Sequence, residues 1–160
     1  MFDQRQAAPA AAPRSGAPTL EEMIRRTEAM TLAFNTGEAR QWYELARPAD
    51  DVTLMAPFGG PTVRGFDSGP DYLARLSRLY RNGDARLEDM EAYASEDLIV
   101  LAFVERQRIE VHGLPSQDWS LRVTQVYRRD GADWELVHRH ADPMVRALPL
   151  ERVAAIARGD

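Results

Sequence analysis

Three polar side chains in the C-terminal half of this 160-residue chain have the types that chemistry needs: Glu105, Gln125 and Arg139. Glu105 follows the uninterrupted apolar run 98–104. If its carboxyl faces an apolar cavity, desolvation favours the neutral form and makes it a usable acid or base. Gln125 carries an amide that can donate to a developing oxyanion. Arg139 can hold a ligand carboxylate, or can pair with Glu105 and keep it ionised. The competing reading is plain ion pairing of Glu105 with Arg106, Arg122 or Arg139, at an interface or a cavity mouth. The sequence leaves both open.

His138 and His140 stand two apart, the spacing that puts two side chains on one face of a strand, and imidazoles so placed are chemically reasonable metal ligands. A third ligand is missing, because His112 falls near a distant turn and the chain has no Cys. We therefore expect no metal, with the pair packing at a strand edge or a subunit interface. Trp42, Phe58, Tyr72, Tyr93 and Phe103 could line a pocket for an aromatic or polycyclic ligand, or fill a core. Trp42 and Phe58 fall near the expected mouth. Asp50, Asp51 and Asp142 sit beside turns and strand ends and read as solvated. Gly-rich phosphate loops, nucleophile elbows and dinucleotide fingerprints are absent from the sequence.

Composition narrows the classes further. All 20 basic residues are Arg, so Schiff-base chemistry on Lys is excluded, and the absence of Cys removes thiol nucleophiles and disulfides. A net charge of −5 favours neither nucleic acid nor an anionic membrane. No apolar run reaches spanning length and the N-terminus lacks a signal-peptide core, so a cytoplasmic bacterial protein is expected.

The elements that must position these groups follow from periodicity. Residues 1–18 are Ala/Pro-rich and are expected to form a disordered tail. Thr19-x-x-Glu22 is a capping box opening a helix that Asn35-Thr36-Gly37 ends. A second helix follows from Glu38 to about Pro48, and a short strand covers 52–56. A third helix, with Pro70 in its first turn, carries Tyr72, Leu73, Leu76, Leu79 and Tyr80 on its apolar face and stops at Asn82-Gly83. From Asp84 the period becomes two, in four long strands near 85–94, 97–111, 117–129 and 133–142. Asp130-Gly131 between the last two is a strong hairpin signal. Residues 148–157 have the pattern of a small C-terminal helix. Helices followed by antiparallel strands predict an α+β domain over 19–145, with 146–160 as a tail. Because residues 98–104 are apolar at every position, both faces of that strand need covering. One face meets the helices; the other is expected to meet a second copy, giving a homodimer through the outer sheet face.

This order of elements resembles the NTF2-like superfamily over 19–145. The specific match is Thr124-Gln125-Val126-Tyr127, Asp130-Gly131, then Trp134-x-x-Val137-His138-x-His140. It is similar to SnoaL-like proteins and to the association domain of calmodulin-dependent kinase II. The resemblance implies three N-terminal helices packed on a strongly curved sheet, forming a cone with a cavity. Matched to the ketosteroid isomerases of that superfamily, Ala56 of Ala56-Pro57-Phe58-Gly59 falls where those enzymes carry their Asp base. Met30 falls at their oxyanion-hole Tyr, and Gln125 at their second, protonated-Asp donor. Isomerisation by that route is therefore not expected. The same register turns Leu101, Phe103 and Glu105 inward, with Leu121, Val123 and Gln125, and with Val137, Arg139 and Ala141. It turns His138 and His140 outward. A second resemblance, to iota-type carbonic anhydrases, fails at their His-His-Ser-Ser run, where this chain reads His138-Arg139-His140-Ala141.

Two functions follow. One is a lyase, isomerase or hydrolase acting without metal or organic cofactor on a small hydrophobic, aromatic or polyketide-like molecule. Its acid/base is Glu105, its oxyanion donor Gln125 and its orienting group Arg139, with Trp42, Phe58, Tyr72, Phe103, Val123 and Val137 as walls. The other is a ligand-binding or dimeric assembly module without catalysis.

Overall fold

A computed structural model describes residues 16–159; the tail expected over 1–18 lies almost wholly outside the described residues. Helix α1 (Leu20–Asn35) begins at the Thr19 capping box, in which the Thr19 hydroxyl accepts from the Glu22 amide and the Glu22 carboxylate accepts from the Thr19 amide. Helix α2 (Ala39–Ala46) packs on α1, and strand β1 (Pro48–Met55) follows with the two-residue β2 (Val63–Arg64). Helix α3 (Pro70–Leu79) runs directly into β3 (Tyr80–Ala94), then come β4 (Leu98–Val111), β5 (Leu114–Asp118), β6 (Leu121–Asp130), β7 (Asp133–Pro143) and helix α4 (Leu150–Arg158). The seven strands form one sheet in the order β2-β1-β7-β6-β4-β3, with β5 paired to β4. All pairs are antiparallel except β1 with β7. The α+β architecture with three helices ahead of a curved sheet is the one expected.

Strand β4 shows why the sheet has an inside. Its odd residues, Ile99 through Val111, are all buried, and its even residues are half-exposed or exposed. This is the period-two pattern of a strand with one face on the core. On that inner face Ile99, Leu101 and Phe103 meet Leu121, Val123 and Tyr127 of β6 and the α1 residues Met23 and Met30. Arg26 fastens α1 to the rest: its guanidinium donates to the Leu45 and Trp134 carbonyls and to Asp133. Trp134 opens β7 as a buried anchor, its indole N–H donating to the Pro18 carbonyl and its ring lying 4.2 Å under the Arg129 guanidinium.

Asn82-Gly83 does not end a helix. The helix closes three residues earlier, and Asn82 and Gly83 form an irregularity inside β3. The reason is close approach: a Cβ on Gly83 would lie 2.8 Å from the Arg108 carbonyl oxygen. Glycine is needed here to let two strands touch, and Tyr80 becomes a strand residue. The strand expected near 117–129 also starts late, as β6 at Leu121, because 114–118 fold back on β4 as a separate short strand.

No described helix is long and apolar enough to cross a membrane. The outer face of β4 leaves Val100, Ala102 and Val104 half-exposed and Leu98 exposed, with Tyr93 of β3 also exposed.

Candidate functional site

The helices and the inner face of the sheet enclose an open-mouthed cavity of about 160 Å³. Met30, Thr31, Phe34 and Asn35 of α1 form its roof, with Trp42 of α2. Leu54 and the turn 55–58 form the lip. Tyr80, Glu105, Gln107 and Ile109 supply one wall, and Trp119, Leu121 and Arg139 the other. Most of this lining is apolar; the charged groups in it are Glu105 and Arg139.

Glu105 sits among the inward residues of β4 with 3 % of its surface exposed. Both its carboxylate oxygens accept from Arg139 Nη2, at 2.9 and 2.8 Å, and the Thr31 hydroxyl approaches Oε1 at 3.4 Å. Arg139 comes from β7, two strands away, with 21 % of its side chain exposed. Among the described residues it is held through Nη2 alone; Nε and Nη1 make no hydrogen bond. The arrangement is an ion pair on a cavity wall with unused donors on its cationic half. Such a pair is poor stabilising material, because taking two charges out of water offsets what their attraction returns.

Around the pair, Asn35 donates to Gln107 Oε1 at 2.6 Å and Gln107 donates to the Trp119 carbonyl at 2.9 Å, tying α1, β4 and the start of β6 together. Tyr80 points into the cavity and shares a 3.0 Å hydrogen bond with His112 Nε2, whose ring lies edge-on to both Tyr80 and Phe58. Burial raises the Tyr80 phenol, with Tyr72 adding to the shift and Arg139 opposing it.

The structure joins Glu105 and Arg139 as one site and puts Trp42 and Phe58 on its walls, Phe58 at the mouth with 61 % exposure. It places the other expected residues elsewhere. Gln125 faces inward but is fully buried beside the cavity, not on it. Its Oε1 accepts from Tyr127 at 2.7 Å, and its Nε2 has no partner. Burial pushes the Tyr127 phenol up to about 12, a shift its hydrogen bond to Thr27 partly opposes. Tyr72 is not a wall residue: it packs edge-on to Phe66 and lies under Arg75 on α3. Phe103 and Val123 belong to the packed core, where their inward side chains are covered by neighbours. Val137 is not inward at all, because it is the extra residue of a bulge: Tyr127 pairs with Leu136 while Val126 pairs with His138. His138 and His140 lie on the outer face, and His138 Nδ1 hydrogen-bonds the Thr53 hydroxyl at 2.7 Å. Among the described residues no group of three or more metal-ligating side chains occurs.

The sequence reading missed Asn35, Tyr80, Gln107 and Trp119. Gln107 carried a usable signal, since it shares the parity of Glu105 on the same strand. Tyr80 did not, because it looked like the last apolar residue of a helix.

A comparison with curated proteins finds no match. Among solved structures, a candidate dehydratase of the NTF2-like family from Streptomyces avermitilis is 20 % identical with a TM-score of 0.65, covering 79 % of this chain and 96 % of that one. A candidate ketosteroid isomerase from Parabacteroides distasonis is 17 % identical with a TM-score of 0.59, over 81 % and 89 %. The association domain of C. elegans CaMKII is 13 % identical with a TM-score of 0.59, over 76 % and 93 %. At these identities the likeness is one of fold. Residues 27–146 match the SnoaL-like domain family, which is most of the chain. With the cone, the cavity and the hairpin ending in His138-x-His140 in place, this protein belongs to the SnoaL-like domain family and has the fold of the NTF2-like proteins.

Proposed function

We propose that this chain is a small-molecule pocket protein working as a cofactor-independent acid–base catalyst of the lyase, isomerase or hydrolase type on a hydrophobic or aromatic substrate. The observation that carries the reading is the buried Glu105–Arg139 pair on a mostly apolar cavity wall, attached through one guanidinium nitrogen. The cavity, about 160 Å³, compares with the roughly 150 Å³ that accommodates a benzene-sized molecule. One ring fits inside it, with any remainder reaching past Phe58. The two wall charges cancel, so a neutral ligand enters without leaving an uncompensated buried charge. Glu105 has lone pairs beyond those Arg139 uses. It takes a proton from a carbon beside a carbonyl; the C–H electron pair forms the carbon–carbon double bond of an enolate, and the carbonyl π pair moves onto the oxygen. Arg139 Nη1 or Nε donates to that oxyanion, the role expected of Gln125 from the sequence. Return of the proton to another carbon isomerises; its delivery to a β-hydroxyl expels water. Residues 19–145 are the working unit in this reading, in a bacterial cytoplasm.

The test needs no knowledge of the natural substrate. Deuterium exchange at the α-carbon of cyclohexanone, followed by NMR in D2O, is expected to run above the buffer rate with the wild-type protein. It is expected to fall to that rate with Glu105→Gln, whose circular dichroism stays native. Equal rates for both proteins and buffer remove Glu105 as the base. A second reading, a non-catalytic binding or assembly module, is favoured by the half-exposed apolar outer face of β4. We propose that this face makes a homodimer, whichever way the exchange assay falls.

A further inference from the structure

Helix α4 is built as a helix but has no place in the core. Gly159, in the left-handed conformation at φ 85°, caps its end, and none of its residues is buried. Leu150, Val153 and Ile156, spaced three apart along one side, are 82, 47 and 53 % exposed. An isolated helix of nine residues is marginal in water, so its apolar side needs a surface to bury against.

The place where the arm leaves the sheet points to that surface. The Met144 amide donates to the Ser120 carbonyl at 2.9 Å, and both neighbours of Ser120, Trp119 and Leu121, line the cavity. The arm is rooted on the cavity rim. Residues 144–149 carry no regular structure and span at most about 20 Å when extended. α4 itself is about 13 Å long. Across that mouth Phe58 is 61 % and Met55 40 % exposed, an apolar lip left partly open among the described residues. A tethered apolar helix and an apolar lip on one molecule meet at high effective concentration.

We propose that α4 is a lid: residues 144–149 swing from the Ser120 anchor and seat Leu150, Val153 and Ile156 on Phe58 and Met55, closing the cavity over its ligand. Closure excludes water from the Glu105–Arg139 wall, where charge interactions are strongest when dry. The lid depends on the cavity and its lip and not on the reaction, so it stands if Glu105 proves inert.

The Cys-free chain makes the test clean. Phe58→Cys with Ile156→Cys, in the full chain at low micromolar concentration under mild oxidation, is expected to form an intramolecular disulfide. The reference pair is Asp97→Cys with Ile156→Cys, whose first site is in the exposed turn before β4, past the end of that strand remote from the cavity. The lid pair is expected to close at least ten times faster, because a disulfide needs Cβ atoms within about 4 Å. Met55→Cys with Val153→Cys gives a second reading of the same contact. Equal rates for lid and reference pairs, or thiols that stay free, overturn the lid. Disulfide-linked dimers overturn it as well, by assigning the arm to a second copy.

Discussion

Replacing Glu105 and Arg139 singly and together asks what the pair is for. Arg139→Met leaves the Glu105 carboxylate, 3 % exposed, without its cation. Breaking a buried pair from one side costs about 3–5 kcal/mol. For a domain of this size each kcal/mol is about 2–4 °C in Tm, so the variant is expected to melt roughly 6–20 °C lower. Glu105→Leu strands Arg139 less severely, because 21 % of that side chain already reaches solvent; its expected cost is about 1–3 kcal/mol. The double variant Glu105→Leu/Arg139→Met removes both charges and fills the space with apolar groups of similar volume. It is expected within about 1 kcal/mol of wild type, or more stable. Urea unfolding of the four proteins, with midpoints and slopes, measures the cycle. A coupling of about 3 kcal/mol or more with a stable double variant means that the fold does not need the pair, which leaves function as the reason for it. A double variant as unstable as the sum of the singles refutes the reasoning, and makes the pair a structural part of the cone.

Three further outcomes test the packing. Gly83→Ala forces a Cβ to within 2.8 Å of the Arg108 carbonyl and 2.9 Å of Ile109 Cβ, and is expected to cost about 1–3 kcal/mol by the same unfolding assay. Val104→Arg, on the outer face of β4, is expected to turn a dimeric elution profile into a monomeric one in light scattering; an unchanged mass removes the outer-face interface. Asp133 is held below its ordinary value of 3.8, burial notwithstanding, by the Trp134 amide and by Arg26 and Arg47. A carboxyl with a lowered folded pKa binds fewer protons folded than unfolded. Its contribution is therefore whole above about pH 4 and is lost as pH falls through the folded pKa. Stability measured from pH 5 to pH 2 is expected to fall less steeply in Asp133→Asn than in wild type.

How much of this was legible is clearest on β7. The alternation of Trp134, Leu136 and the following residues is a period-two signal, and extending it would carry His138 and His140 into the cavity and turn Arg139 to the outside. Trp134 and Leu136 are indeed buried inward. Yet Arg139 is inward too, three residues after Leu136 rather than two or four. The bulge at Val137 supplies the missing residue and inverts the parity of everything after it. A resemblance anchored at Gln125 assigned Arg139 and Ala141 correctly, because they lie beyond the bulge on the same side as the anchor. It failed at Val137, where the register changes. Helices, hairpin and the apolar β4 were readable because each rests on a local pattern. The walls made by Tyr80 and Trp119 were not, because they depend on where a helix gives way to a strand and where a long strand breaks in two.

That single extra residue also decides the chemistry of the site. Without the bulge, with the same residues in unbroken alternation, the wall opposite Glu105 would present two imidazoles, a cavity suited to a metal or to proton transfer near neutrality. With it, the wall presents a guanidinium, which stays charged and does not exchange protons at any working pH. In the proposed reaction Glu105 is then the proton-carrying group of the pair, and Arg139 the fixed charge. The imidazoles turn outward instead, where His138 ties β7 to Thr53 of the parallel strand β1. A bulge has no side chain to point at, yet here it assigns which residues can act on a ligand and which hold the sheet.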